Sequence, residues 1–196
     1  PDFEANQPNV NGIGNNPSAQ TLNWPYGVFS DGESLWIADT GNRRILFYDG
    51  IPKTNFSPAD EVIGKPDFTI RDYENHEPIW PYSVKVNAKG QMVVADTQFY
   101  RTLLWNDADK AFSKPADSII GQTDFDACGQ NQFGLFPSSK SAVIGKRDFK
   151  TASENKETLT GTSSSLYWPF SITTQENKLI IADTGNHRVV ITDLKL

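Results

Sequence analysis

Asn23-Trp24-Pro25-Tyr26-Gly27-Val28, leading to Leu35-Trp36-Ile37-Ala38-Asp39-Thr40-Gly41-Asn42-Arg43-Arg44-Ile45-Leu46, recurs twice more along the chain. The second copy runs Ile79-Trp80-Pro81-Tyr82-Ser83-Val84 to Met92-Val93-Val94-Ala95-Asp96-Thr97, followed by Arg101-Thr102-Leu103-Leu104. The third runs Tyr167-Trp168-Pro169-Phe170-Ser171-Ile172 to Leu179-Ile180-Ile181-Ala182-Asp183-Thr184-Gly185-Asn186-His187-Arg188-Val189-Val190. Trp to Asp is 15, 16 and 15 residues, and Asp to Arg is 5 in every copy. Two spacings held three times mark a structural repeat rather than chance.

A fourth element recurs between the copies. It reads Val62-Ile63-Gly64-Lys65-Pro66-Asp67-Phe68, Ile119-Ile120-Gly121-Gln122-Thr123-Asp124-Phe125 and Val143-Ile144-Gly145-Lys146-Arg147-Asp148-Phe149, and Pro1-Asp2-Phe3 matches its tail. Each unit is therefore expected to hold four short strands: one after Trp-Pro, one into Ala-Asp-Thr, one after the Arg and one at Val-Ile-Gly. Asp-Thr-Gly-Asn reads as a hairpin turn, with the Asp capping it and Gly or Asn accepting positive φ. Gln98, Phe99 and Tyr100 replace Gly-Asn-x in the second unit, so its turn is expected to differ. Antiparallel strands in meander order, repeated every 57 to 65 residues, describe the blades of an all-β propeller.

Ala-Asp-Thr-Gly-Asn-x-Arg after a Trp-Pro-x-Gly-Val strand resembles the NHL repeat, and the Ile-Gly-Gln-x-Asp-Phe and Asn-Pro-Ser-Ala-x-Thr-Leu (Asn16 to Leu22) elements resemble a bacterial subgroup of it. The resemblance covers most of the chain. It implies four-stranded antiparallel blades, usually six to a ring, and an extracytoplasmic or cell-surface location. Residues 1–196 read as a single domain, with blade units at about 24–67 and 80–124, an interrupted blade at 125–149 and a last blade at 168–196. The Asp-Phe elements fall at intervals of 65, 57 and 24, so 33 to 41 residues are short in the last interval, with the joint near Pro137-Ser138-Ser139-Lys140-Ser141. Either residues are omitted there or the propeller is partial. A partial propeller is expected to close by self-association with another copy, because open sheet edges are avoided.

Composition narrows the function classes. The 196 residues carry a net charge of −6, which disfavours a nucleic-acid partner. Apolar residues make up 37%, and no run is long enough for a membrane span. The N-terminus shows no signal-peptide pattern. Cys128 is the lone cysteine, and the two histidines, His76 and His187, sit at non-equivalent repeat positions and do not make a three-histidine zinc site. Zinc thus has no supporting ligand set; calcium has only the amide and carbonyl oxygens of the Asn-rich loops, with too few carboxylates for a strong site, and no catalytic residue is assigned.

Asp39/Arg44, Asp96/Arg101 and Asp183/Arg188 read as structural pairs bracing their hairpins, since a catalytic pair need not recur in every unit. Trp24, Trp80 and Trp168, with Tyr26, Tyr82 and Phe170, are expected at equivalent depth around the propeller axis. There they either fill the wedge between sheets or form an aromatic rim that stacks on a sugar, a peptide side chain or a cation. The Asn-rich loop Asn6 to Asn16 and the similar Gln130 to Phe136 read as solvated linkers, as does the Thr/Ser-rich Lys150 to Ser165. The expected function is a non-catalytic binding scaffold for a protein, peptide or carbohydrate (glycan). The alternative is a metal-dependent lyase or lactonase-type hydrolase working at the channel mouth.

Overall fold

A computed structural model describes residues 6–10, 12, 16–71, 79–125, 127, 129–132 and 161–194. Those residues hold eleven strands in three antiparallel sheets and no α-helix. The first sheet is the meander β1 (Pro25–Ser30), β2 (Leu35–Asp39), β3 (Arg44–Tyr48) and β4 (Glu61–Ile63). The second repeats it as β5 (Pro81–Val86), β6 (Met92–Asp96), β7 (Arg101–Trp105) and β8 (Ser118–Ile120). The third has β9 (Pro169–Gln175), β10 (Lys178–Asp183) and β11 (Arg188–Asp193). The further Val143–Phe149 element, Pro1–Phe3 and the Pro137–Ser141 joint lie outside the described residues.

Each sheet starts on a proline, whose missing N–H is tolerated at the first residue of a strand. The hairpin between the second and third strands closes with Asp39 opposite Arg44, Asp96 opposite Arg101 and Asp183 opposite Arg188. A single 3-10 turn bridges each pair, at Thr40–Asn42, Thr97–Phe99 and Thr184–Asn186.

The turn corrects two expectations. The left-handed residue is neither Gly nor Asn but the one before the arginine: Arg43 (φ 57°), Tyr100 (φ 57°) and His187 (φ 54°). Because that position takes three different side chains, the second turn keeps the backbone of the others despite Gln98 and Phe99. The aspartates also make no side-chain cap to their own turns. They reach back to a more distant partner, described below.

The core lies between the sheets. Trp36, Ile45, Phe47 and Ile63 of the first sheet pack on Val84, Met92, Val94, Leu103 and Trp105 of the second. The other face of the second sheet, through Val93, Ala95 and Leu104, packs on Ile172, Leu179 and Ile181 of the third, with Leu166. With both faces covered, β6 and β7 are buried along their whole length. That is why Met92-Val93-Val94-Ala95 reads as a continuous apolar run where a half-buried strand would alternate. Neighbouring sheets are also tied by a repeated hydrogen bond: the hydroxyl of Thr40 donates to the Pro81 carbonyl, and that of Thr97 to the Pro169 carbonyl, each at 2.5 Å.

Candidate functional site: an aromatic row over a buried polar hub

Each repeat is organised around its aspartate. Oδ1 of Asp39 accepts the backbone N–H of Asn23 (2.7 Å), that of Asp96 the N–H of Trp80 (2.5 Å), and that of Asp183 the N–H of Tyr167 (2.7 Å). Oδ2 takes the Nε–H of Arg44 (2.8 Å), Arg101 (2.7 Å) or Arg188 (2.7 Å). Burial pushes the Asp39 and Asp96 carboxyls above the ordinary range, against the pull of the arginine and the donated N–H groups.

The arginines spend their remaining donors on backbone carbonyls. Arg44 donates to Phe68, Ser18 and Thr21, Arg101 to Phe125, and Arg188 to Thr162 and Ser165. In the first two units the Asp-Phe element thereby supplies a carbonyl, of Phe68 or Phe125, to the arginine of its own unit. The long polar residue after the Ile-Gly of the first two units turns inward as well: Lys65 donates to the Arg71 carbonyl, and Gln122 to those of Tyr100 and Gly129.

Sequence reasoning missed a further part of the hub. Asn9 and Asn42 exchange amide hydrogen bonds at 3.1 and 2.9 Å, and Asn42 also donates to Asp39 Oδ2 at 2.7 Å. Asn131 and Asn186 repeat the exchange at 2.9 and 2.7 Å, with Asn186 donating to Asp183 at 2.8 Å. Asn9 and Asn131 are both buried and left-handed, so these positions are anchors rather than solvated linkers. The signal in the sequence was an Asn in the turn matched by an Asn in the preceding loop. In the second unit Phe99 takes the place of Asn42, and its ring lies 5.1 Å from the Arg101 guanidinium.

The three tryptophans are not equivalent, which corrects the symmetric placement. The residue 16 positions before the aspartate always donates its N–H to it; this residue is Asn23 in the first unit, Trp80 in the second and Tyr167 in the third. Trp24 and Trp168 are an added left-handed residue (φ 48° and 51°) between that donor and the proline, and Trp80 is the donor itself. Trp24 consequently projects outward, 72% exposed, and Trp168 is 37% exposed. Trp80 instead lies 4.1 Å under the Arg43 guanidinium of the neighbouring sheet, as Tyr167 meets Tyr100 at 5.8 Å.

Glycine accounts for the difference. The N–H of Gly41 donates to the Asn23 carbonyl, and that of Gly185 to the Tyr167 carbonyl, each at 2.7 Å. A Cβ on either glycine would fall within 2.6 Å of that oxygen. Gln98, which carries a Cβ, stands at this position in the second unit, where the chain approaches the strand by the other route.

The residues after the prolines do come together. Tyr26 and Tyr82 have ring centroids 4.5 Å apart, Tyr82 meets Phe170 edge-on at 5.2 Å, and Phe170 meets Trp168 at 6.5 Å. Gly27 permits this closeness, since a Cβ there would lie 2.5 Å from the Tyr82 carbonyl oxygen. Gln98 donates to the Tyr82 hydroxyl at 3.2 Å. The result is a row of rings crossing all three sheets, with Tyr26 (62%) and Phe170 (37%) open to solvent.

Among the described residues, no group of three or more His, Cys, Asp or Glu converges into a metal site. His187 is the exposed left-handed residue of its turn, while His76 and Cys128 lie outside the described residues. Among the described residues, no helix is long and apolar enough to cross a membrane. Compared with known proteins, the chain matches no family model, and no curated protein is significantly similar to it.

Proposed function

We propose that the three sheets are consecutive blades of a β-propeller of the NHL-repeat type, and that it is a non-catalytic binding scaffold. The ligand is a protein, peptide or glycan recognised by the row Tyr26, Tyr82, Phe170 and Trp168. The propeller reading is supported by identical meander order, hairpin register and sheet-to-sheet hydrogen bonds in successive units. The binding reading rests on one observation: every sheet contributes its first strand's aromatic residue to a single contiguous, partly exposed row. Large rings are costly to leave in water, and in a row they offer π faces to sugars and to peptide side chains.

Tryptophan fluorescence titration against panels of oligosaccharides and peptides tests this. Saturable binding that Tyr26→Ala or Trp168→Ala weakens about tenfold or more, with folding retained, supports it. No binding across the panels, or stoichiometric zinc or calcium accompanied by lyase or lactonase turnover, would replace it with the enzymatic reading.

A further inference from the structure

We propose, resting on the binding reading of the aromatic row, that its ligand is a proline-rich segment in the polyproline II conformation. The rings hold the prolines, and the Tyr82 hydroxyl donates a hydrogen bond to a backbone carbonyl of the segment.

The shape of the row favours such a chain over a sugar. Tyr26 and Tyr82 are inclined to each other by 36°, Tyr82 and Phe170 by 85°, and Phe170 and Trp168 by 67°. Rings so tilted form no flat platform; they leave notches between the face of one ring and the edge of the next. Aromatic-lined notches are what the pyrrolidine rings of a polyproline II helix dock into. That helix repeats every three residues, over about 9 Å. Centroid steps of 4.5 and 5.2 Å carry the row from Tyr26 through Tyr82 to Phe170, a reach that one such turn covers.

Hydrogen bonding points the same way. Gln98 donates its Nε2–H to the Tyr82 hydroxyl oxygen at 3.2 Å, so the hydroxyl proton is turned away from Gln98. Tyr82 is thereby set as a donor toward whatever lies on the row. The hydroxyl of the exposed Tyr26 and the indole N–H of Trp168, which donates to no described residue, add two more donors. The row itself brings no carboxylate to accept from sugar hydroxyls or peptide N–H groups. Asp39, Asp96 and Asp183 are fully buried and already taken by N–H groups and arginines.

A surface of donors suits a ligand of acceptors. A polyproline II chain makes no internal hydrogen bonds, so its carbonyls are open to partners. Each proline also lacks the N–H that an apolar surface would leave unsatisfied. Gln98 stands where the first and third units have Gly41 and Gly185, so the aimed donor belongs to the middle of the row alone.

Isothermal titration calorimetry on the full chain tests this with three probes. They are a neutral peptide of repeated Pro-Pro-Ala-Pro, the same peptide with serine for proline, and chito-oligosaccharides. The proline peptide is expected to bind saturably, and the other two at least about tenfold more weakly. Tyr82→Phe keeps the ring and removes the donor, and is expected to weaken the proline peptide about fivefold or more. Gln98→Ala is expected to weaken it less, and to add nothing on top of Tyr82→Phe, because Gln98 acts through that hydroxyl. Unchanged far-UV circular dichroism checks that the variants fold. If the serine peptide or the oligosaccharides bind as tightly as the proline peptide, the assignment falls while the binding scaffold stands. Unchanged affinity in Tyr82→Phe, or additive losses in the double variant, would also overturn it. A chain that binds none of the three probes overturns it too, and failure across the wider panels removes the binding reading as well.

Discussion

Replacing Arg44 with Met should nearly unfold the protein, whereas the same change at Arg188 should be mild. Arg44 is fully buried and donates to Asp39 at 2.8 Å and to the carbonyls of Phe68, Ser18 and Thr21 at 2.6, 2.8 and 2.9 Å. Methionine fills part of the volume but leaves a buried carboxylate without its counter-ion and three carbonyls without that donor. Breaking a buried pair from one side costs about 3–5 kcal/mol. Each orphaned carbonyl adds about 1 kcal/mol or more. The sum exceeds about 5 kcal/mol, a large share of the roughly 5–15 kcal/mol that holds a domain folded. The Arg188 side chain is 30% exposed, so water replaces much of what is lost, and about 1–2 kcal/mol is expected. Urea unfolding followed by tryptophan fluorescence gives both values, with unchanged m-values confirming a common transition. If Arg44→Met stays within about 1 kcal/mol of wild type, or costs no more than Arg188→Met, the hub does not hold the sheets as argued.

Gly41→Ala places a Cβ 2.6 Å from the Asn23 carbonyl and should cost about 1–3 kcal/mol in thermal unfolding, while Gln98→Ala at the matching position should cost about 1 kcal/mol or less. Trp24→Ala should change stability by no more than about 0.5 kcal/mol, but Trp80→Ala should lose about 2 kcal/mol with its place under Arg43. Asp96 has a raised pKa in the folded state, so the fold binds its proton more readily than the unfolded chain. Its contribution is full below the ordinary value of 3.8 and is lost as pH rises through the raised folded value. Stability of wild type relative to Asp96→Asn should therefore fall with rising pH across that window in melting curves. A difference that rises with pH would contradict this.

The strands were legible because each is short, apolar and bounded by a fixed residue: proline at the start, aspartate at the hairpin, glycine after the last strand. The pairing of Asp with Arg was legible from a constant spacing of 5, which two facing strands joined by one short turn impose. The Asn9–Asn42 and Asn131–Asn186 exchanges were not. They join residues 33 and 55 positions apart, and nothing local distinguishes a buried Asn from a solvated one. The unequal tryptophans were signalled by the odd spacing of 16 in the second unit. Aligning on Trp-Pro concealed it, because the backbone aligns on the N–H donor to Asp.

That displacement bears on the proposed function. The hub is nearly invariant between units: the same carboxylate, the same Nε–H and the same donor 16 residues earlier. Such constancy is what a stabilising element requires, since each sheet must close its own hairpin in the same way. The aromatic end varies, with Trp24 exposed, Trp80 held under an arginine and Trp168 partly covered by Tyr167 and Phe170. Inter-sheet packing alone would favour one solution repeated three times, as the hub does. Rings that differ in exposure from sheet to sheet, while the row linking them stays continuous, present an asymmetric surface, as the proposed binding of a peptide or sugar in one orientation requires.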